Sequence, residues 1–378
     1  MNRATKLLTL VVAFATLVVA CGDDDDSATT AAPAPAETTA AATETTAAAA
    51  GTTAAATETT VAAADAPTEL TMALVVASVV EEPWYASMLD AMSRAAEAAP
   101  YGLTINHEYF EGIDYADGER VIRDLAVSGK YGIIVAHSTY SDAIAAVRDE
   151  FPDMLFSFSG AGNQPIGGNG YWIDMVLHEP AYVAGVAAGL LSETNSIGAV
   201  AAFPFGNVTG PVNAFFDGAL SVNPDIETQV TYIESWFDPS RAREAAEALI
   251  TAGADSLYSA STFGTFDAIG EDDRVFGVGD FTDQEALNPT AVMTSTIALW
   301  DPALNTLIDA WWEHNANGVP YDGQTDVPLK FSMGDGGGDL APFNEALVPE
   351  DIRTQAMEVR DQIISGDVVV VLDEEARG

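Results

Sequence analysis

Leu70-Thr-Met-Ala-Leu-Val-Val-Ala77 is a short apolar run, and after the loop Ser78-Val-Val-Glu-Glu-Pro-Trp84 it gives way to a stretch, Tyr85 to Ala99, where Met88, Leu89, Met92 and Ala95 recur at helical spacing. A strand uninterrupted by charge is buried on both faces, and such a strand followed by a helix is the repeating unit of a parallel sheet covered by helices. The unit recurs along the chain. Thr104 to Tyr109, Gly132 to Ala136 and Leu155 to Ser159 read as strands, with helices expected over Ala116 to Ser128 and Ser141 to Glu150. A second series begins after Pro180. A small-residue helix, Ala181 to Leu191, leads to strands at Ile197 to Ala202, Glu227 to Ile233, Ser256 to Ser259 and Val275 to Gly279, with helices over Pro211 to Leu220 and Ser240 to Ala252. Two open parallel sheets, and hence two α/β domains sharing a crevice, are the expected architecture.

The region before this pattern has a different composition. Arg3 and Lys6 precede an apolar stretch, Leu8 to Ala20, too short for a comfortable membrane span, and Val18-Val19-Ala20-Cys21 ends it with the only cysteine of the chain. Residues 1–20 read as a secretory signal and Cys21 as a lipid acceptor, which places the mature protein on the extracytoplasmic face of the cell membrane. Residues 21–67 open on the acidic run Asp23 to Asp26 and continue almost wholly in Ala, Thr, Glu and Pro, with no aromatic residue. Such a segment buries too little apolar surface to offset the entropy of ordering it, so a flexible tether is expected, with a reach of roughly 35 Å.

Charge and residue types narrow the function. The formal net charge is −43, and after Cys21 the only lysines are Lys130 and Lys330, so binding to nucleic acid or anionic lipid by charge is not expected. The four histidines, His107, His137, His178 and His314, lack metal-ligand spacing, no Gly-x-Ser-x-Gly elbow occurs, and the lone cysteine is committed to lipid. Neither a metal, a cofactor nor a catalytic centre is expected. The glycine run Gly334-Asp-Gly-Gly-Gly-Asp339 lacks the Lys-Ser or Lys-Thr ending of a phosphate cradle and reads as a turn.

Doubly wound sheets bind ligands at the carboxyl ends of their strands. There this chain carries Trp84 and Glu81 (with Glu82 beside it), His137, Phe205, Trp236, Phe263 and Asp280. Trp236, Trp84, Phe205 and Phe263 offer flat apolar faces, and Asp280, Glu81 and His137 offer polar fixings. Each has an ordinary structural alternative: Trp236 as a plug of its domain, Asp280 as a turn or capping residue, His137 as a hydrogen-bonded packing residue.

Ile197-Gly-Ala-Val-Ala-Ala-Phe-Pro-Phe205, Asn213-Ala-Phe-Phe-Asp-Gly-Ala-Leu-Ser-Val-Asn-Pro-Asp-Ile226, Ser235-Trp-Phe-Asp238 and Gly253-Ala-Asp255, with Ala181 to Gly189, Gly277-Val-Gly-Asp280 and Thr294-Ser295, resemble the basic membrane protein family of ABC-transporter substrate-binding lipoproteins. The resemblance spans about Leu70 to Val370. It implies a type I periplasmic-binding fold of two lobes joined by three crossovers, a purine nucleoside or nucleobase as ligand, an ABC permease as partner, and a monomer. The chain departs from nucleoside-binding members in having Glu81-Glu-Pro-Trp-Tyr85 where they carry an Asp-Lys-Ser-Phe-Asn-like loop, and Ala298 where they carry lysine. The lobes are expected over 68–176 with 293–322 and over 177–292 with 323–376. A tethered ligand sensor or surface lipoprotein without a transporter is the alternative role.

Overall fold

A computed structural model describes residues 66–270 and 274–377, so Cys21, the signal segment and nearly all of the tether lie outside the described residues. The first sheet contains β1 (Glu69–Val75), β2 (Thr104–Phe110), β3 (Ile133–Ala136), β4 (Leu155–Ser159), β5 (Gly170–Met175) and β11 (Leu329–Phe331), in the order β11-β5-β4-β3-β1-β2 and parallel throughout. The second contains β6 (Ser196–Ala201), β7 (Glu227–Tyr232), β8 (Ser256–Ala260), β9 (Phe276–Gly279), β10 (Val292–Ala298) and β12 (Gly338–Leu340), in the order β12-β10-β9-β8-β6-β7. Only β12 there runs antiparallel. This is the two-lobed α/β fold of type I solute-binding proteins.

The apolar run of β1 is explained by helices on both faces. Leu70, Met72 and Leu74 join the core under α1 (Pro83–Ala98) and α7 (Asp301–Asn317), where Met92, Trp300 and Leu304 are buried. Ala73 and Val75 point to the opposite core with Ile122 of α2 (Tyr115–Val127), Ile144 of α3 (Ser141–Ala145) and Phe156. The second lobe repeats the scheme. Ile197, Ala199 and Ala201 face α4 (His178–Leu191), α5 (Gly206–Val222) and α8 (Glu350–Ser365), and Val200 faces α6 (Pro239–Thr251).

The chain crosses between lobes three times, after β5, after β10 and after β11. Two of the expected boundaries need correction. The segment 293–322 was assigned to the first lobe, yet β10 pairs with β9 and buries Met293 in the second-lobe core. The segment 323–376 was assigned to the second lobe, yet β11 pairs with β5 of the first. β11 is a three-residue edge strand with a weak pattern of its own, β10 lies inside the second sheet between β9 and β12, and the sheet each joins is fixed by what it pairs with. The glycine run forms a turn that leads into β12.

Two local differences matter for the cleft. The helix expected over Ser141 to Glu150 stops at Ala145 and resumes as a single tight turn, Arg148–Glu150. Helix α5 begins at Gly206, not at Pro211, which lies inside it. Pro211 has no N–H to offer the carbonyl of Asn207, so the first turn of α5 is released from the regular helical ladder.

Helix α5 is seated by an unusually close seam with α4. A Cβ at Gly185 would lie 1.9 Å from the carbonyl oxygen of Phe215, and one at Gly218 would lie 2.0 Å from that of Tyr182. Only glycine lets the two backbones approach this far. Gly218→Ala should therefore lower the unfolding free energy by about 1–3 kcal/mol in urea titrations, although alanine is the better helix former by about 1 kcal/mol. A variant as stable as the parent would contradict this seam.

Candidate functional site

The carboxyl ends of both sheets converge on a cavity of about 770 Å³. On the first-lobe side its wall is built by Glu82, Trp84 and Tyr85 at the start of α1, Tyr115 at the start of α2, and the turns that follow β3 and β4. Ser138 and Thr139 come from the first of these turns, Asp142 from the first turn of α3, Ser159 from the end of β4 and Gly160 to Gly162 from the turn after it. The second lobe contributes Phe205 and Asn207 before and within the first turn of α5, Trp236 after β7, Ser261 after β8 and Phe281 after β9. Among the described residues lining this cavity there is no Lys, Arg or His. A second cavity of about 370 Å³ shares Trp84, Asn207 and Phe281 with it and extends to the crossovers, where Asp174, His178, Lys330 and Glu374 stand.

Trp236, Trp84 and Phe205 thus stand in the cavity wall. Trp236 packs at 4.9 Å from Phe203 and 6.2 Å from Phe205, and Phe203 and Phe205 are themselves stacked at 5.3 Å, so the second lobe presents a cluster of rings. Trp84 is clamped. The His137 imidazole lies parallel to it at 4.8 Å, and Phe281 and Trp300 meet it edge-on at 5.0 and 4.9 Å. One face of Trp84 is therefore occupied by the protein, leaving it less open to a ligand than the sequence suggests.

The other expected residues stand elsewhere. His137 is fully buried beneath Trp84, with Nδ1 2.6 Å from Ser159 Oγ and Nε2 3.1 Å from the Trp84 carbonyl oxygen. The neutral tautomer that fits donates from Nε2 to the carbonyl and accepts at Nδ1, and burial pushes the imidazole down to about 3, so it stays uncharged. Asp280 is also interior. Its Oδ1 accepts from Thr296 Oγ1 at 2.6 Å, Tyr258 Oη at 3.0 Å and Phe281 N at 3.1 Å, and its Oδ2 accepts from Ser261 N at 2.9 Å. Burial raises its carboxyl to about 6 against the hydrogen bonds that lower it. Both backbone N–H groups belong to residues with positive φ, Ser261 at 55° and Phe281 at 68°, so Asp280 holds two strained wall residues in place. Glu81 is exposed beside the cavity, and Phe263 stacks on Phe237 at 5.8 Å, outside the lining.

Glu82 is the polar wall residue that took the place expected of Glu81. It is 8% exposed, and burial raises its carboxyl to about 7 while a hydrogen bond with the Ser78 side chain works in the opposite direction. It occupies the N-cap position of α1 without its side chain capping the helix. Ser138, Thr139 and Phe281 were also missed. For Ser138 and Phe281 the available signal was position: each follows a buried residue at a strand end, His137 and Asp280, and successive side chains there turn to opposite sides.

Asp280→Ala strands the buried hydroxyls of Tyr258 and Thr296 and the Ser261 N–H, and should cost at least about 3 kcal/mol of unfolding free energy in the ligand-free protein. Glu82 has a folded value near 7 against an ordinary 4.5, so its contribution to stability is present at low pH and is lost as pH rises through about 7. Glu82→Gln should melt above the parent at pH 8, by a margin on the order of 2 kcal/mol, and the margin should close toward pH 5. An equal margin at both pH values would contradict a buried, uncompensated carboxylate.

Comparison with known proteins agrees with this geometry. The sequence pattern of the family described as ABC transporter substrate-binding protein PnrA-like matches residues 68–330. A protein of Haloferax volcanii described as a putative ABC transporter glucose-binding protein is 30% identical over 70% of this chain, and the match spans 64% of that relative's own length. A purine-binding protein of Brucella abortus is 27% identical over 67% of this chain and 69% of its own. Among solved structures, a solute-binding protein of an Aeropyrum pernix ABC transporter system superposes with a TM-score of 0.64 at 18% identity, covering 80% of this chain and 94% of that one. A transcriptional activator of the comK gene from Bacillus halodurans does so with 0.64 at 22% identity, covering 79% and 99%. Likeness at such identity speaks for the fold alone. No helix among the described residues is long and apolar enough to cross a membrane. With its two sheets opening on one cavity and the family pattern running through both, the chain belongs to the PnrA-like (Bmp) family of ABC transporter substrate-binding proteins.

Proposed function

We propose that the protein is the extracytoplasmic solute receptor of an ABC importer, tethered to the membrane through lipid on Cys21, and that it captures a purine nucleoside, a nucleobase or a similar small aromatic solute between its lobes. The observation that carries this reading is the cavity itself: rings from opposite lobes, Trp236 and Phe205 on one side and Trp84, Tyr85 and Tyr115 on the other, around a space with no cationic side chain among the described residues that line it. A flat ring stacked on one of these gains about 0.5–1.5 kcal/mol beyond area burial. A micromolar receptor needs about 8 kcal/mol in all, and stacking, buried area and a few hydrogen bonds supply it together after the cost of closing.

Contact with both lobes is what couples capture to transport. A ligand that touches only one lobe favours neither the open nor the closed arrangement, whereas one that touches both shifts the population to the closed form, which a permease could read. The likeness to a purine-binding protein supports an aromatic ligand. The likeness to a protein described as glucose-binding favours a second reading, a sugar lying against the same rings.

A thermal-shift comparison of adenine, adenosine, guanosine, inosine and D-glucose separates the two. A base or nucleoside at a hundred times its dissociation constant should stabilise the protein by about 2.7 kcal/mol, and Trp236→Ala should weaken that ligand about tenfold or more while leaving the ligand-free melting point near the parent's. A shift with D-glucose alone would replace the aromatic reading by the sugar reading.

A further inference from the structure

Five buried side-chain atoms among the described residues have no hydrogen-bond partner: Glu82 Oε2, Asn213 Oδ1, Tyr232 Oη, Ser256 Oγ and Arg353 Nε. Of these, only Glu82 lines the interlobe cavity. A carboxyl group placed there for packing alone would be a poor choice, because an apolar side chain of similar volume is cheaper to bury. Its backbone gives no other reason. The Glu82 carbonyl accepts from Tyr85 N and Ala86 N and its N–H donates to Val79, so the start of α1 is held without the side chain.

We infer that Glu82 is a specificity-determining residue of the cleft: its free carboxyl oxygen pairs with an N–H or O–H of the bound solute, and the acidic wall restricts the site to neutral or cationic, unphosphorylated ligands. The inference rests on the aromatic-solute reading and adds the sign of charge that the ligand can carry. Asp142 shares the wall with Glu82, and among the described residues of the lining no cationic side chain stands ready to neutralise a phosphate or carboxylate. The cation of the adjoining cavity, Lys330, is accompanied there by the carboxylates of Asp174 and Glu374. A nucleoside therefore fits where its phosphate ester is repelled.

Isothermal titration of the intact protein tests this with adenosine, guanosine, inosine, adenine and adenosine 5′-monophosphate, with parallel titrations of Glu82→Ala, Glu82→Gln and, as a control, Glu81→Gln. The best-bound base or nucleoside should lose about tenfold or more in affinity in Glu82→Ala and nothing in Glu81→Gln. The monophosphate should bind the parent about a hundredfold more weakly than adenosine, and Glu82→Gln, which keeps the shape and removes the charge, should narrow that ratio. A purely structural role for Glu82 would move both ligands together and leave the ratio unchanged. Parent-like affinity in both Glu82 variants, or a monophosphate bound as tightly as adenosine, overturns the inference and leaves the aromatic-solute reading standing. If the parent binds none of these compounds, the aromatic reading falls and this inference falls with it.

Discussion

Asp280 brings a carboxylate into the interior of the second lobe, and four hydrogen bonds are needed to keep it there. Two of them come from backbone groups of Ser261 and Phe281, residues that line the cleft in a left-handed conformation they would otherwise avoid. The rule that buried polar atoms be paired thus shapes the wall from behind. His137 performs the corresponding task in the first lobe, tying Ser159 at the end of β4 to the Trp84 carbonyl in the first turn of α1 and supporting the indole with its ring. Both groups directly follow strands, His137 after β3 and Asp280 after β9, so the sheets position the residues that hold the cleft surface.

The pairing rule that is met behind the wall is left open in it. Glu82 has an oxygen without a protein partner, at a cost in stability that grows once the group ionises. Stability given up at a cleft residue is common where a ligand completes the arrangement. The first turns of α1, α2, α3 and α5 all reach the cavity, and their N-terminal dipoles favour negative charge there. With Glu82 and Asp142 supplying that charge from the protein, the solute has no need to bring its own.

Much of the fold could be read from the chain because its strands are buried on both faces. Leu70 to Val75, Ile133 to Ala136 and Leu155 to Ser159 are largely apolar and carry no charge, and a parallel sheet covered on both faces accounts for them. The edge strands were illegible for the opposite reason. Leu329–Phe331 and Gly338–Leu340 are three residues each, and only pairing partners distant in sequence decide which lobe they join. At the site, three of the expected residues lie one position away from a residue that lines the cavity. His137 for Ser138, Asp280 for Phe281 and Glu81 for Glu82 share this error, since composition marks a strand end but not which side chain turns inward. Trp236, Trp84 and Phe205 stand in the wall.

The claim that most depends on this geometry is that one ligand is held by both lobes at once. A crystal structure of the protein grown with its best-binding base or nucleoside measures it directly. The account predicts a ring against Trp236 with a polar edge at Glu82, so that second-lobe and first-lobe side chains touch the same molecule. A ligand found in contact with one lobe alone, or outside the cavity between Trp236 and Trp84, would contradict it.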